Sequence, residues 1–599
     1  MKQKFSSISI ISPYLKKYRK NYILGFLCLI IVDAAQMLIP QYIKNAVNII
    51  SSDSFSFKSV LIIALLMTGT MLIIAFGRFL WRNFIHGSSR RVEALLRERL
   101  FTHILKMPQS FYQRNKTGGL MARFTNDIGA VRMAIGWGLV GLIDGSIMAI
   151  SILVIIFIQS GKTAFFAVLP LPVITVLIVI FNKMIGKRYA KAQAAYSATS
   201  EAVQETFAGI RVIKSFVKEN FFIKRFSALN DDYKAANVSL VKTQGFFLPL
   251  AAFFAASTQI IVILLGGRLV ILGDMSGGEF VALFSYLQML IWPVYGAGFT
   301  IAILQRGLVS LKRISEILNE APAIRDEPSI AKEDGKRFEE GRARGEPFLS
   351  VRGLSFSYGE GPEILRGVNL TIKEGEWIGV LGRTGSGKST LIKCFSRLVN
   401  VPRNSVFVYG TDVNDAPLKT LRGLFAISPQ DSGLFSGSIK ENILYGLSPA
   451  LGGDENVKPE EDALRRAIET SALGGDLANF SGGENAIIGE RGVTLSGGQK
   501  QRVSIARAAI TDRQALILDD SLSAVDAETE SRILTQLYKE RKGKTTIIIS
   551  HRISAFRHAD FIAVLENGRI TESGTRSELL KKGGYFAKTA RIQQLPEEF

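Results

Sequence analysis

The sequence predicts an α-helical transmembrane domain with six spans, followed by an α/β domain. Two observations lead to this fold class. After about residue 350, short apolar strands alternate with helices and turns, which is typical of an α/β domain. Before that point, long apolar stretches lie at about 22–50, 60–82, 137–159, 164–185, 247–272 and 279–303.

Each apolar stretch supplies the roughly 20 residues that a bilayer core requires. Hydrophobic residues make up 47% of the chain and charged residues 21%, so the two kinds must be separated along the sequence. The transmembrane domain is predicted at 1–318 and the α/β domain at 348–599, with a charged linker at 319–347. No A-x-A-like cleavage site follows the first stretch, which indicates a membrane anchor rather than a signal peptide.

Two long connections between the apolar stretches are strongly basic. Residues 86–135 and 183–246 are rich in Arg and Lys, and the chain as a whole has a net charge of +21. Positive residues mark the cytoplasmic side of a membrane protein. We therefore expect the N-terminus, both connections and the α/β domain to be cytoplasmic in a multi-pass protein of the cell membrane. The six spans argue against a soluble protein that acts on nucleic acid.

A phosphate-binding loop follows the apolar strand Trp377–Leu381. Its residues Gly382–Ser389 match the pattern G-x-x-x-x-G-K-[ST], and a helix opens directly after them. The glycines let backbone N–H groups approach phosphates, Lys388 brings a positive charge, and Ser389 offers a hydroxyl to Mg²⁺. The sequence therefore predicts ATP and Mg²⁺ as ligands.

Further motifs accompany this loop. Gln430 follows an apolar strand, Leu495–Gln499 reads LSGGQ, Ser523–Asp526 follows two adjacent aspartates, and His551 ends a β-branched strand. Together with the phosphate loop, these motifs resemble the ATP-binding cassette (ABC) family. The resemblance covers essentially the whole chain and implies an exporter-type membrane domain joined to a P-loop ATP-binding cassette.

The resemblance implies that two cassettes enclose two ATP molecules, and that each site combines residues of one chain with the LSGGQ motif of the other. Tyr358 would stack on the adenine. The nucleotide-binding residues implied are Tyr358, Gly382, Arg383, Thr384, Gly385, Ser386, Gly387, Lys388, Ser389, Thr390, Gln430, Ser496, Gly497, Gly498, Gln499, Asp519 and His551. The metal ligands implied are Ser389, Gln430 and Asp519. The catalytic residues implied are Asp520, His551 and Gln430.

Asp519 and Asp520 stand where the family carries Asp followed by Glu. Asp520 is one methylene shorter than the expected glutamate, and a displacement of about 1 Å can lose about a hundredfold in rate. The run 519–526 resembles one subunit of heterodimeric bacterial multidrug exporters. We therefore expect ATP-driven export of lipophilic small molecules by a heterodimer, in which a second ABC half-transporter supplies an intact catalytic Glu.

Two other interpretations stay open. In one, Asp520 is a tolerated replacement in an active homodimer, and the protein is a lipid or glycolipid flippase. In the other, the chain is an ATP-gated regulator or channel rather than a pump.

Other features concern coupling and substrate. Segments 111–127 and 205–219 resemble the coupling segments that dock exporter membrane domains on their cassettes. Polar residues within spans are costly and often functional. They are candidates for the substrate cavity, with helix–helix contact as the alternative, and comprise Asp33, Gln36, Asp144, Gln259 and Gln288.

The predicted orientation can be tested by cysteine labelling. Cysteines placed at Ser52 and Gly277 should react with an impermeant reagent in intact cells, because both positions lie in short extracellular connections. A cysteine at Lys116 should react only after permeabilisation. The reverse pattern would overturn the orientation.

Overall fold

The computed structural model describes residues 2–52, 56–326, 336–447, 461–489 and 495–594. The chain divides into two compact units. The first consists of Met1–Lys106 and Asn115–Ala321, and the second of Met107–Arg114 and Pro322–Phe599. Each unit is described by itself below.

The first unit is helical throughout its described residues. Its helices are α1 (Lys2–Lys17), α2 (Arg19–Ile50), α3 (Phe57–Trp81), α4 (Gly87–Leu105), α6 (Thr117–Ala122), α7 (Ile128–Met133), α8 (Leu139–Val168), α9 (Pro170–Ala208), α10 (Ile210–Ser215), α11 (Glu219–Ile261), α12 (Gly267–Ile271) and α13 (Gly277–Asn319), while α5 (Gln109–Arg114) belongs to the second unit. Single π-helical turns occupy Arg82–His86, Arg123–Asp127, Ala134–Gly138 and Val262–Gly266.

Five helical segments within the described residues are long and apolar enough to cross a membrane. They overlap five of the six predicted stretches and run over Arg19–Ile50, Phe57–Leu105, Thr117–Gln159, Glu219–Ile271 and Gly277–Asn319. The remaining stretch, 164–185, is helical in α8 and α9, but several of its side chains lie outside the described residues, so its role as a span stays a prediction. Helices of 39 to 43 residues (α9, α11 and α13) exceed the length of a bilayer core, as expected for spans that extend into water.

Buried polar groups at the contact between α2 and α13 satisfy one another. The Tyr286 hydroxyl donates to the carbonyl oxygen of Met37 at 2.7 Å and accepts from Gln41 Nε2 at 3.0 Å. At the start of α13, the Gly278 N–H donates to Asn48 Oδ1 at 3.0 Å. A buried polar group costs free energy unless it is hydrogen-bonded, so these pairs fix how the two helices pack.

The second unit is an α/β domain with three sheets. A four-stranded sheet has the order β2 (Glu363–Ile372), β1 (Leu349–Ser357), β4 (Val406–Val408), β5 (Thr411–Asp412). A six-stranded sheet has the order β12 (Arg569–Gly574), β11 (Phe561–Glu566), β3 (Trp377–Leu381), β10 (Thr545–Ser550), β9 (Ala515–Asp519), β6 (Phe425–Ser428). A small sheet pairs β7 (Gly437–Ser438) with β8 (Ile487–Ile488).

Helices cover the sheets of the second unit. They are α14 (Lys336–Ala343), α15 (Lys388–Phe395), α16 (Leu418–Gly423), α17 (Ile439–Leu444), α18 (Glu461–Thr470), α19 (Gly474–Leu477), α20 (Gly497–Ala509), α21 (Ala527–Glu540), α22 (Arg576–Lys582) and α23 (Tyr585–Gln594). The central strands β3, β9 and β10 are buried along their whole length, which explains why they read as continuous apolar runs.

The register of the parallel strands determines where the site forms. Within the six-stranded sheet all neighbours are parallel except β11 and β12. Leu381 pairs with Ser550, and Asp519 pairs with Ile549. Because the carboxyl ends of parallel strands meet at one edge, the loops after β3, β6, β9 and β10 emerge side by side.

A buried glycine in the central strand offers a test of this packing. A Cβ atom on Gly379 would lie 2.5 Å from the ring of the fully buried Phe556. Gly379→Ala should therefore destabilise the cassette by about 1–3 kcal/mol through overpacking, seen as a lower thermal unfolding temperature. Gly423→Ala is the matched control because no atom lies within 4 Å of its added Cβ. Equal unfolding temperatures for both variants would contradict this packing.

Candidate functional site

A cavity of about 290 Å³ opens at the edge where the parallel strands end. Ten of the predicted site residues line it, and Ile364 contributes an additional apolar wall. The ten are Thr384, Gly385, Gly387, Lys388, Ser389, Thr390, Gln430, Asp519, Asp520 and His551. The fold thus brings together residues that are up to 167 positions apart in the sequence, from Thr384 to His551.

Glycines shape the phosphate loop. Gly387 has φ of 104° and directly precedes α15, in a left-handed conformation that favours glycine. A Cβ at this position would lie 2.9 Å from Leu365 Cδ2 and 3.2 Å from the Ile364 carbonyl oxygen. A Cβ on Gly382 would clash with the Leu565 carbonyl oxygen. Any side chain at these positions would displace the loop from the strands behind it.

Lys388 is held against its own loop. Its ammonium donates to the carbonyl oxygens of Gly382 and Arg383, at 2.9 Å each. Burial lowers the pKa of Lys388 below its ordinary value, and the nearby carboxylates of Asp520 and Asp519 oppose this shift. The ammonium is therefore a partly desolvated positive charge at the cavity wall, where an anionic group would interact with it strongly.

Ser389 and Asp519 form a pair of oxygen donors. The Ser389 hydroxyl donates to Asp519 Oδ1 at 3.0 Å. Burial raises the pKa of the Asp519 carboxyl above its ordinary value, and the hydrogen bond from Ser389 opposes this shift. A hydroxyl beside a carboxylate is the kind of hard-oxygen set that binds Mg²⁺ together with phosphate oxygens.

One further observation supports the fit of the cavity to a nucleotide phosphate. The Ser386 hydroxyl is buried within the phosphate loop and has no hydrogen-bond partner among the described residues. Within the same residues, no group of three or more His, Cys, Asp or Glu side chains could hold a metal by protein ligands alone. A Mg²⁺ that keeps phosphate and water ligands needs no such group.

Asp520 lies in direct contact with His551. Oδ1 of Asp520 is 3.1 Å from Nδ1 of His551, within hydrogen-bonding distance. The Asp520 side chain is 18% exposed and that of His551 is 51% exposed, so the pair faces the open side of the cavity. Asp520 has a left-handed backbone with φ of 49°, and its N–H donates to the Ile549 carbonyl oxygen at 3.0 Å.

Tyr358 does not line this cavity. Its ring packs edge-on against Phe356, with the centroids 5.0 Å apart, and its hydroxyl lies 3.5 Å from Thr390 Oγ1. The contact with Thr390 places it beside the phosphate loop, and stacking on adenine stays a prediction.

The LSGGQ motif begins α20 and also lies outside the cavity lining. The Ser496 side chain accepts from the Gln499 N–H, and the Gln499 side chain accepts from the Ser496 N–H, which forms a capping box. Gly497 and Gly498 form the first turn, and a Cβ on Gly498 would lie 2.8 Å from the Ala524 carbonyl oxygen. The motif is therefore packed on the loop that follows Asp520. Its service in the site of another chain stays a prediction.

The loop Ser523–Asp526 is held by two residues that the sequence reasoning missed. From α20, Gln501 Nε2 donates to Ser523 Oγ at 2.9 Å and to the Asp520 carbonyl oxygen at 3.4 Å, and Gln501 Oε1 accepts from the Ala524 N–H at 2.9 Å. Gln501 lies two residues after the LSGGQ motif, and this spacing gives no signal that its side chain bonds to the loop.

Arg552, the residue after His551, holds the same loop from the opposite side. Its guanidinium donates to the carbonyl oxygens of Ser523 and Val525, at 2.9 Å each, and to the buried carboxylate of Glu530 at 2.9 Å. Together, Gln501 and Arg552 connect the LSGGQ helix, the loop after Asp520 and the histidine strand.

The fold and the cavity define a class of protein, a P-loop ATPase joined to a helical membrane domain. Comparison with known proteins assigns the family. The family profile described as "ABC transporter transmembrane region" matches residues 22–294, and the profile described as "ABC transporter" matches residues 365–523. The chain belongs to the ABC transporter family, with the architecture of a half-transporter that carries both domains in one chain.

Relatives align over most of the chain. The probable multidrug resistance ABC transporter ATP-binding/permease protein YheI of Bacillus subtilis is 34% identical, over 99% of this chain and 98% of its own length. The multidrug resistance-like ATP-binding protein MdlA of Escherichia coli is 30% identical, over 98% of this chain and 96% of its own. The ATP-dependent lipid A-core flippase of Aromatoleum aromaticum is 31% identical, over 86% of this chain and 83% of its own.

A solved structure shares the fold. A bacterial Atm1-family ABC exporter with ATP bound matches with a TM-score of 0.78, over 96% of this chain and 99% of that chain, at 22% identity. The predicted fold class and the resemblance to the ABC family are therefore confirmed.

The role of Gln501 can be tested by mutation. Gln501→Ala removes three hydrogen bonds. The start of α20 then has no side-chain hydrogen bond from position 501 to the loop Ser523–Asp526. We expect ATP turnover of the assembled transporter to fall about tenfold to a hundredfold, because Gln501 lies on the LSGGQ helix that is expected to serve the partner's active site, and small displacements of reacting groups cost that much. Nucleotide affinity should change little. Steady-state hydrolysis and binding of a fluorescent ATP analogue measure the two quantities.

Gln536→Ala is the matched control, because Gln536 on α21 donates an exposed hydrogen bond to the side chain of Glu540 and lies outside the nucleotide cavity. It should leave both quantities unchanged. If Gln501→Ala reduced nucleotide affinity as much as turnover, Gln501 would stabilise the whole site rather than position this loop.

Proposed function

We propose that the chain is one subunit of a heterodimeric exporter of lipophilic small molecules, and that its own ATP site binds ATP but hydrolyses it slowly. The observation that carries the proposal is the geometry of Asp520. This residue occupies the position at which the family carries glutamate, and its short side chain lies 3.1 Å from His551. The Asp520 carboxylate contacts His551 and is one methylene shorter than a glutamate. It therefore reaches less far into the cavity than a glutamate carboxylate would.

Each lining residue has a role in this proposal. Lys388 leaves its two loop carbonyls to pair with the phosphates of ATP, which offer a stronger, charged acceptor. The phosphate loop, with the free hydroxyl of Ser386, surrounds the same phosphates. His551 and Gln430 line the open side of the cavity, where they orient the terminal phosphate and the attacking water. Catalysis of phosphoryl transfer is mainly positioning and charge stabilisation, so the reach of each group matters.

Ser389, Asp519 and Gln430 would hold Mg²⁺, which supplies positive charge to the phosphate oxygens during transfer. The Ser389 hydroxyl and the Asp519 carboxylate already lie 3.0 Å apart. Their pairing keeps both oxygens directed at the same part of the cavity wall. Gln430 is exposed and lies on the loop after β6, so it can respond to the occupant of the cavity.

The LSGGQ motif of this chain would complete the site of the partner subunit. Its residues match the family motif without a change, and its helix cap is fully formed. The partner would contribute the glutamate that this chain lacks. Two relatives named for multidrug resistance align over nearly the whole chain, and this supports the export of lipophilic compounds.

We further propose a cytoplasmic orientation for the N-terminus and the cassette. The basic connections 86–135 and 183–246 support it through the excess of positive charge on that side. The apolar side chains of Val212 and Phe216, at 61% and 69% exposure on and after the short helix α10, support docking of this segment on a cassette.

A homodimeric lipid flippase is the second candidate. The observation in its favour is the similarity to lipid A-core flippases, which aligns at 31% identity. The two candidates differ in what they require of Asp520, because a homodimer has no other catalytic carboxylate at that position.

A set of substitutions at the nucleotide site tests the proposal. The purified chain alone should hydrolyse ATP poorly, and Asp520→Glu should raise its turnover, because the longer side chain restores the reach. In the assembled transporter, Asp520→Asn should have a mild effect, whereas Ser496→Ala should reduce turnover about tenfold or more, because it alters the motif that serves the active site of the partner. Steady-state ATPase assays measure each outcome.

Thr575→Ala is the matched control for Ser496→Ala. It removes an equivalent capping box at the start of α22, at a cost of about 1 kcal/mol, without touching the motif. It should leave turnover unchanged. Vigorous hydrolysis by the chain alone that is abolished by Asp520→Asn would establish the homodimer instead.

A further inference from the structure

The first unit contains a second large cavity, of about 660 Å³, on the surface of α3 and α4. Three arginines and a histidine line it at intervals of four residues, namely Arg78, Arg82, His86 and Arg90. No acidic residue is among its lining residues, and the sequence from 54 to 92 contains neither Asp nor Glu. The cavity therefore has a cationic wall, and no carboxylate from the same stretch of chain offsets its positive charge.

The arginines differ in how they are neutralised by other helices. Arg78 donates to Gln36 Oε1 at 3.2 Å and lies in electrostatic range of Asp33 and Asp144. Within the described part of the chain, Arg82 and Arg90 form no ion pair with a carboxylate. Glu93, the nearest acidic residue along the chain, is paired with Arg97 and Arg132 instead.

Arg82 is positioned by its surroundings. Its guanidinium lies 5.6 Å from the centroid of Trp81, and Trp81 packs edge-on against Trp137 and His86. The π-helical turn Arg82–His86 begins at this residue, and such turns occur often at functional sites. Nε2 of His86 is buried and has no hydrogen-bond partner among the described residues. The cationic wall is therefore partly rigid before anything binds.

The cavity is apolar at the end nearer the centre of the predicted span. Ala75 and Phe79 line it there, and the neighbouring Phe76 and Leu72 are exposed on the same helix. The end near Phe79 thus offers apolar contact beside Arg78, whose charge Asp33 and Asp144 offset, and the other end offers the guanidinium groups of Arg82 and Arg90. About 12 Å of helix separates Arg82 from Arg90 at 1.5 Å per residue.

We propose that this cavity binds the anionic headgroup of an amphiphilic substrate, with the apolar body of the substrate directed along α3 toward Phe79. The proposal rests on the export function proposed above and specifies its substrate class. A guanidinium group binds carboxylate, sulfonate and phosphate through paired hydrogen bonds. Arg82 ends the predicted span and Arg90 lies in the basic connection that follows it, so both guanidinium groups are expected near the membrane surface, where an amphiphile presents its anionic headgroup and can neutralise them.

Equilibrium binding tests the proposal separately from transport. The full-length chain, with any partner that copurifies, is placed in phosphatidylcholine nanodiscs and titrated with radiolabelled taurocholate, a sulfonated amphiphile. We expect saturable binding that weakens about tenfold in Arg82→Gln and in Arg90→Gln, as for the loss of one charge-assisted hydrogen bond. Arg82→Lys should recover part of the affinity. Binding of tetraphenylphosphonium, a lipophilic cation, should not weaken in these variants.

Arg99→Gln is the matched control, since Arg99 is exposed on α4 and lies outside the cavity. It should bind taurocholate as the unmodified chain does. Phosphatidylglycerol in the nanodiscs separates two sources of the headgroup. If phosphatidylglycerol competes with taurocholate, a lipid is an occupant of the cavity. If it does not compete, the occupant is a free amphiphile. Both outcomes support an anionic site.

Two results would overturn the proposal. One is taurocholate affinity that is unchanged in both glutamine variants, and the other is an equal loss of affinity for the anion and the cation. ATP-driven uptake of both probes into inside-out vesicles is measured in parallel. Uptake of the cation without binding of the anion would leave the export function standing and reject only the anionic site.

Discussion

The parallel pairing of the central strands is the constraint on which the nucleotide site depends. Because β3, β9 and β10 run in the same direction and in register, Leu381, Asp519 and Ser550 end at one edge of the sheet. The phosphate loop, Asp520 and the histidine are the next residues after these strand ends. Strands that are buried on both faces permit little movement, so the distances between Ser389, Asp519, Asp520 and His551 are fixed by the core rather than by the loops.

The hydrogen bonds of Gln501 and Arg552 fix the loop that follows Asp520 at this edge of the sheet. The loop Ser523–Asp526 is bonded on one side to the LSGGQ helix and on the other to the histidine strand. A shift of the LSGGQ helix, which would accompany closure on a partner, therefore moves the backbone that carries Asp520. This is a short physical route from the LSGGQ helix to the nucleotide site of the same chain.

The sequence was informative where chemistry requires fixed residue types at fixed spacing. The phosphate loop, Gln430, the aspartate pair and His551 were predicted as one site, and the structure places them around one cavity. The strands were predictable because burial on both faces requires continuous apolar runs.

Contacts between side chains that are distant in sequence were not predictable in the same way. Nothing in the spacing of Gln501 or Arg552 indicates that both bond to one loop. The arginines of α4 indicate orientation by their charge, and the sequence does not single out Arg78 or Arg82. Their common wall depends on the helical register through the π turn Arg82–His86, which apolar periodicity does not predict.

The backbone conformation of Asp520, and not only the length of its side chain, distinguishes it from a glutamate. With φ of 49°, it lies in a region where Asp and Asn are several-fold enriched over most other side chains. A glutamate at this position would have to be held there against its own conformational preference by the surrounding fold. The shorter residue therefore fits this turn with less backbone strain, so aspartate at position 520 favours folding stability.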